Sequence, residues 1–219
     1  MWHIFEQGGP VMYPLAGCSI MALAVVIDRV VFWMTTDLNR KAKLVDEVLE
    51  LSRQGDWEQI RKITKGSKDY IIRVLISGIL HRQFSMIKAM EASAADEIKR
   101  MRRYMGVLDT MITVAPLLGI FGTVIGIISS FEILGSAGIE HPQEVTAGIA
   151  QALITTATGL GIAILSLFPY NYFNSKVENA ALMIEKYATS LEIVYEKGSG
   201  KKWSVKDEDP SALQQKTQN

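Results

Sequence analysis

The chain has 219 residues, 48% of them apolar and 21% charged, and its 23 basic and 23 acidic side chains cancel to zero formal net charge. That charged fraction is close to the roughly 25% of soluble domains, so hydrophobicity is concentrated in segments and much of the chain meets water. Zero net charge names no nucleic-acid or other polyanionic partner. The single cysteine, Cys18, excludes an internal disulfide framework and a cysteine-based zinc site. His3, His81 and His141 are scattered without metal-ligand spacing, so no metal and no cofactor is expected.

Residues 1–13 (MWHIFEQGGPVMY) contain no Lys or Arg. They are read as an N-terminal segment without the basic start and small-residue cleavage site of a secretory signal. Their GGP cluster introduces the first span, Pro14 to Met34. Pro at its start suits a helix N-terminus. Asp28 and Arg29 lie near its end, where headgroups begin, so Arg29 is expected to snorkel and to be partly neutralised by Asp28. Phe32 and Trp33 fit an aromatic belt.

Residues 35–105 are polar and mostly helical. Leu44, Val45, Val48, Leu49 and Leu51 recur at helical spacing. Gly55 breaks that helix, and Asp56 can cap the next. Ile71, Ile72, Leu75, Ile76, Ile79 and Leu80 mark another amphipathic helix. Met86 to Tyr104 reads as a long helix running without a breaker into the second span. The expectation is a small cytoplasmic helical bundle continuous with the membrane helices.

From Thr110 to Phe131 there are 22 residues without a charge, and from Val145 to Ser175 there are 31. Each run exceeds the ~20 helical residues that cross a hydrocarbon core. The second span is placed at 106–134 and the third at 145–172. Glu132 to Glu144 is read as the connecting loop, with 135–144 as its external part. Residues 173–197 continue the third helix through Val177, Ala180, Ala181, Ile184, Tyr187, Leu191 and Val194. The tail 198–219 has too little apolar content to order itself. The stretch 35–104 carries 15 Lys and Arg, and the chain after Tyr170 carries 7. The N-terminal segment and the connecting loop carry none. Positive residues stay inside, so the N-terminus and this loop are expected outside, with the large loop and C-terminus in the cytoplasm. The basic string KRMRRY, Lys99 to Tyr104, reads as a topology determinant at the inner headgroups in preference to a specific lipid site.

Both later spans are rich in small and hydroxyl residues. Pro116, Gly119, Thr123, Gly126 and Ser130 follow at spacings of 3, 4, 3 and 4, on one helix face. Gly122 and Gly126 form a GxxxG pair. Gly148, Ala152, Thr155, Gly159 and Ala163 make a similar stripe, with Thr156 beside it. Thr123 and the Thr155/Thr156 pair fall at one depth near mid-span. Pro116 cannot donate to the carbonyl of Ile112, which frees an acceptor and favours a kink. Close helix packing is the favoured reading of the glycines and alanines. Two readings stand for the threonines: hydroxyls bonded to carbonyls of their own helix, or a water-lined, proton-accepting surface.

Enzymatic readings lack their chemistry. GIFGTVIG has no preceding strand, no Lys and no downstream acid, so it is no nucleotide loop. The spans hold no buried Asp pair, and no Ser with a His or Lys partner, so no catalytic residue is assigned. Asp109 stands about 21 Å along its helix from Thr123 and is read as an interfacial contact.

These strings resemble the MotA/TolQ/ExbB proton-channel family. The resemblance rests on the Pro-led first span with Asp28-Arg29, on APLLGIFGTVIGIISSF, and on GIAQALITTATGLGIAI followed by Pro and Tyr-Asn. It is closest to the ExbB branch, TolQ next. It implies an all-α protein of three transmembrane helices, two of them long and extending into a cytoplasmic helical bundle, in a bacterial inner membrane. It implies a homo-oligomer, a pentamer, around single-span partners of the ExbD or TolR kind that carry a protonatable Asp. It also implies use of proton-motive force to drive TonB-type transport. A Tol-type role in envelope maintenance and a non-conducting membrane scaffold are the alternatives. By motif, the family's pore-side threonines fall on Thr123 and Thr156. The candidate proton pathway is Thr123, Thr155, Thr156, Pro116, Gly119 and Gln151. Gly122, Gly126, Gly159 and Ala163 pack helices, and Asp28, Arg29 and Asp109 are interfacial. Two positions depart from the family: Gln151 stands where Glu is usual, and Asp28-Arg29 where Glu-Arg is usual. Gln cannot titrate in this range, so the proton-carrying acid is expected from the partner.

Overall fold

The computed structural model describes residues 8–137 and 142–198. Among them the chain forms α1 (Met12–Leu38), α2 (Ala42–Gln54), α3 (Trp57–Ile63), α4 (Tyr70–Leu80), α5 (Met86–Met101), α6 (Met105–Ala137) and α7 (Pro142–Gly198), with no strand. Three helices, α1, α6 and α7, are long and apolar enough to cross a membrane. Their outward faces carry large apolar side chains such as Ile20, Leu23 and Ile27 on α1, Ile120, Phe121 and Val124 on α6, and Leu153, Leu165 and Phe168 on α7. Contiguous exposed apolar surface of this kind suits lipid or a partner helix, where no water is ordered against it.

The chain divides into two compact units. The first holds the described residues up to Asn39 together with Ala95–Leu182. Its core lies where α1 packs along α6. Val11, Met12, Leu15 and Ala115 form one buried cluster, joined by Leu118 and Ile162. Cys18, Ala22, Leu108 and Met111 form a second. The second unit holds Arg40–Ala94 and the chain from Met183. Val45, Val48, Ile60, Ile71, Ile72, Leu75, Ile184 and Leu191 are buried there. Gly55 ends α2 in the left-handed conformation (φ 74°), and the Asp56 side chain accepts from Gln59 N–H to start α3, as the sequence predicts. Asp69 is buried and accepts from the N–H groups of Ile71 (2.9 Å) and Lys41 (2.7 Å), which caps α4 and holds the chain leading into α2.

Several boundaries differ from expectation. The helix predicted over 86–104 does not run into the second span. It stops at Met101, and Tyr104 takes a left-handed φ of 63°, the one such non-glycine residue among those described. Met105 N–H bonds Arg102 O, leaving the Met101 carbonyl to Arg29 Nη1 at 3.2 Å. A left-handed non-glycine residue costs roughly 1–2 kcal/mol, and contacts from α1 hold it. The loop predicted over 132–144 is shorter. α6 runs to Ala137 and α7 begins at Pro142. Ile133 and Leu134 prolong the apolar helix, and Pro at the first helical position loses an N–H that had no partner there. The third helix is unbroken from Pro142 to Gly198, with Pro169 inside it. The readings made of residues 1–7, 138–141 and 199–219 lie outside the described residues.

Arg29 and Trp33 correct the reading of the first span. Arg29 does not snorkel to a surface. Its side chain is 4% exposed, and it pairs with Asp28 through Nε (2.9 Å) and Nη2 (2.5 Å). Its guanidinium lies 4.6 Å from the Phe32 ring centroid and 5.8 Å from that of Tyr104. Trp33 is buried inside the unit and so is no belt residue.

Candidate functional site

The hairpin of α6 and α7 brings the two small-residue stripes face to face, and the glycines show how closely. A Cβ on Gly119 would stand 3.0 Å from both Thr155 O and Thr156 Cα. One on Gly122 would stand 2.6 Å from Thr155 Oγ1, and one on Gly126 3.0 Å from Ala152 Cβ and Gly148 O. On the opposite helix, a Cβ on Gly159 would overlap the Ala115 carbonyl oxygen and stand 3.1 Å from Gly119 Cα. Ala163 is buried one turn further along. Ser130 Oγ reaches Gly126 O (2.9 Å) and Val145 O (3.2 Å) near the far end of the hairpin. At Gly119 and Gly159 backbone lies against backbone, and a side chain there would press on the facing helix.

The three threonines meet at this closest approach. Thr123 Oγ1 and Thr156 Oγ1 are hydrogen-bonded across the hairpin. Thr123 also reaches Ala152 O (3.0 Å) and Gly119 O (3.2 Å), Thr156 reaches Gly119 O (3.1 Å), and Thr155 reaches Ala152 O (2.8 Å). Each hydroxyl carries one proton, so more acceptors lie within reach than there are protons to donate. Only one of Thr123 and Thr156 can donate to the other at a time. Thr155 is buried, whereas Thr123 and Thr156 are half-buried. The pair thus keeps an open side at the hairpin's edge.

The remaining candidates lie apart from this cluster. Pro116 is half-buried in α6, three residues before Gly119. The Gln151 side chain packs against the left-handed turn at Gly9 (φ 68°), where any Cβ would overlap its amide. The GGP cluster signals that turn in the sequence, but not its contact with Gln151. Asp109 is exposed in the first turns of α6, and its carbonyl accepts from Thr113 Oγ1 at 3.1 Å. Asp28 and Arg29 serve the α5–α6 junction. Beyond the third span's expected end, Lys176 donates to Asp37 at 2.9 Å, and this bond holds the ammonium pKa above its ordinary value. Among the described residues no group of His, Cys, Asp and Glu could hold a metal ion.

A hairpin of two charge-free spans, packed through glycines and carrying paired hydroxyls with an open side, defines a membrane protein built to work with other helices. The model of the MotA/TolQ/ExbB proton channel family matches residues 66–186. The chain is 33% identical over 195 residues to the putative biopolymer transport protein ExbB-like 3 of Synechocystis, covering 86% of this chain and 91% of that protein. It is 35% identical over 198 residues to ExbB-like 1 of the same organism, covering 87% and 77%. It is 34% identical over 177 residues to the Tol-Pal system protein TolQ of Haemophilus influenzae, covering 73% and 71%. The chain belongs to the MotA/TolQ/ExbB proton channel family. It is a multi-pass membrane protein and a proton-channel subunit of the kind that works with partner proteins in energy-transducing complexes.

Proposed function

We propose that this chain is the ExbB-type stator subunit of a bacterial inner-membrane complex that drives TonB-dependent outer-membrane transport. Five copies would surround the single spans of an ExbD- or TolR-like partner, with the N-terminus periplasmic and the C-terminus cytoplasmic. The partner's Asp carries the proton, and Thr123 and Thr156 form the wall it works against. The observation that carries this reading is the hydroxyl pair, open on one side and surrounded by more acceptors than it has protons.

The chemistry follows from relative bond strengths. A partner carboxylate approaching the open side offers Thr156 a charge-assisted hydrogen bond, roughly twice as strong as the neutral bond to Gly119 O that it replaces. Once that carboxylate is protonated, the advantage is gone and the hydroxyl returns to the carbonyl. The wall therefore holds the charged partner more tightly than the neutral one, and protonation releases it. Each proton crossing the membrane supplies about 2.3 kcal/mol per 100 mV, more than one such exchange of bonds.

Thr156→Val tests this. The substitution removes the hydroxyl at nearly constant shape, while Thr123 keeps Ala152 O and Gly119 O as acceptors. Assembly with the partner is expected to persist and gradient-driven transport to be abolished. Transport at native levels in an assembled Thr156→Val complex would overturn the role. It would favour the scaffold reading, which the hydroxyl-to-carbonyl bonds within the hairpin also support. The TolQ relative gives the second pathway reading: a Tol-type complex would show its defect in envelope integrity and leave TonB-dependent uptake intact.

A further inference from the structure

A surface groove lies beside the break between α5 and α6. An open groove of about 970 Å³ lies along the last turns of α5 and the turn that follows. Lys99, Arg100, Arg102 and Arg103 rim it, with Asp96 as its one acidic member. Ala95, Ile98 and the arginine stems give it apolar walls. Two of the four cations are partly engaged. Arg100 pairs with the largely buried Glu97 at 3.4 Å, and Arg103 donates to the Tyr104 hydroxyl at 2.6 Å. Lys99 and Arg102 are exposed and pair with no carboxylate among the described residues. The groove ends where α6 begins its membrane-spanning run at Met105.

We infer that this groove binds the headgroup of an anionic phospholipid, with the phosphodiester between Lys99 and Arg102. Three observations combine in this assignment: a net positive rim, apolar walls, and a position at the end of a membrane helix. A topology signal needs only the charges. It does not need a concave site with apolar walls between those charges.

The test uses native mass spectrometry of the purified, delipidated full-length protein with equal amounts of dioleoylphosphatidylglycerol and dioleoylphosphatidylcholine. The native chain is expected to retain the anionic lipid in at least fivefold excess. Arg102→Gln should lower that preference about fivefold, the factor that corresponds to about 1 kcal/mol per basic residue near an anionic surface. Arg102→Gln/Arg103→Gln should abolish it, and Arg61→Gln, an exposed cation on α3, should leave it unchanged. Should the double variant fail to elute as a folded species, the single variant carries the test. Equal retention of both lipids by the native chain, or a preference that survives Arg102→Gln, overturns the inference. Loss of the preference on adding inorganic phosphate at equal concentration also overturns it, by making the groove a general anion site. So does efficient disulfide or maleimide cross-linking of Lys99→Cys to a second copy, because the groove would then be covered by a neighbouring subunit.

Discussion

Gly159→Ala probes a backbone-to-backbone contact between α6 and α7. A Cβ at this position would overlap the Ala115 carbonyl oxygen and crowd Gly119 Cα at 3.1 Å, and both obstacles are backbone. A flexible side chain could swing aside, but a helix backbone moves only as a unit. The substitution must therefore push α6 and α7 apart or shift their register. Over-packing of this kind costs about 1–3 kcal/mol, set against a helix-propensity gain of up to about 1 kcal/mol for replacing Gly by Ala. Gly161→Ala is the internal control, since it lies on the same helix two residues away and has nothing within 4 Å of an added Cβ. It receives the propensity gain without the clash. Thermal unfolding of the two purified variants in detergent should therefore diverge. The expected separation is several degrees, on the scale of about 2–4 °C per kcal/mol for chains of this size. Because Gly119 O accepts from Thr156 and Thr123 at this same contact, Gly159→Ala should also impair transport. Equal melting temperatures for Gly159→Ala and Gly161→Ala would refute the argument that this contact holds the hairpin's register.

Three further substitutions examine the α5–α6 junction and two helix caps. Arg29→Met leaves the Met101 carbonyl without its donor and Asp28 without its partner, which should destabilise the α5–α6 junction by about 1–3 kcal/mol. Faster hydrogen exchange at residues 102–105 is the readout, and unchanged exchange there would remove Arg29 from the role. Asp69→Ala strips the N–H groups of Ile71 and Lys41 of one buried acceptor and should cost about 1–3 kcal/mol. Asp56→Ala, at an exposed cap, should cost nearer 0.5–1 kcal/mol. Limited trypsin digestion between Arg40 and Lys68 distinguishes the two, and equal protection would show that the buried cap carries no extra weight.

The sequence by itself determined the elements whose causes are local. Charge-free runs of 22 and 31 residues exceed the length a bilayer requires, so the spans at 110–131 and 145–175 are legible from composition alone. The alternation of threes and fours that carries Gly119, Thr123, Gly126 and Ser130 puts them on one face in any α-helix. Gly55 and Asp56 announce a helix end and a helix start because left-handed backbone and a capping carboxylate act within a few residues. Tertiary structure decided what depends on distant partners. Nothing in KRMRRY ends a helix. The chain turns at Tyr104 where Arg29, 72 residues before Met101, takes the carbonyl that the helix leaves open. The same contact buries an arginine that its position near the end of a span would have sent to the headgroups. Gln151 lies against Gly9 across a separation that no periodicity reports. The threonine hydroxyls were visible as a group at one depth. Only the packing of the two helices shows that Thr155 is enclosed while Thr123 and Thr156 are hydrogen-bonded across the hairpin with one side open, because burial and hydrogen-bond partners belong to the pair of helices and not to either stretch of sequence.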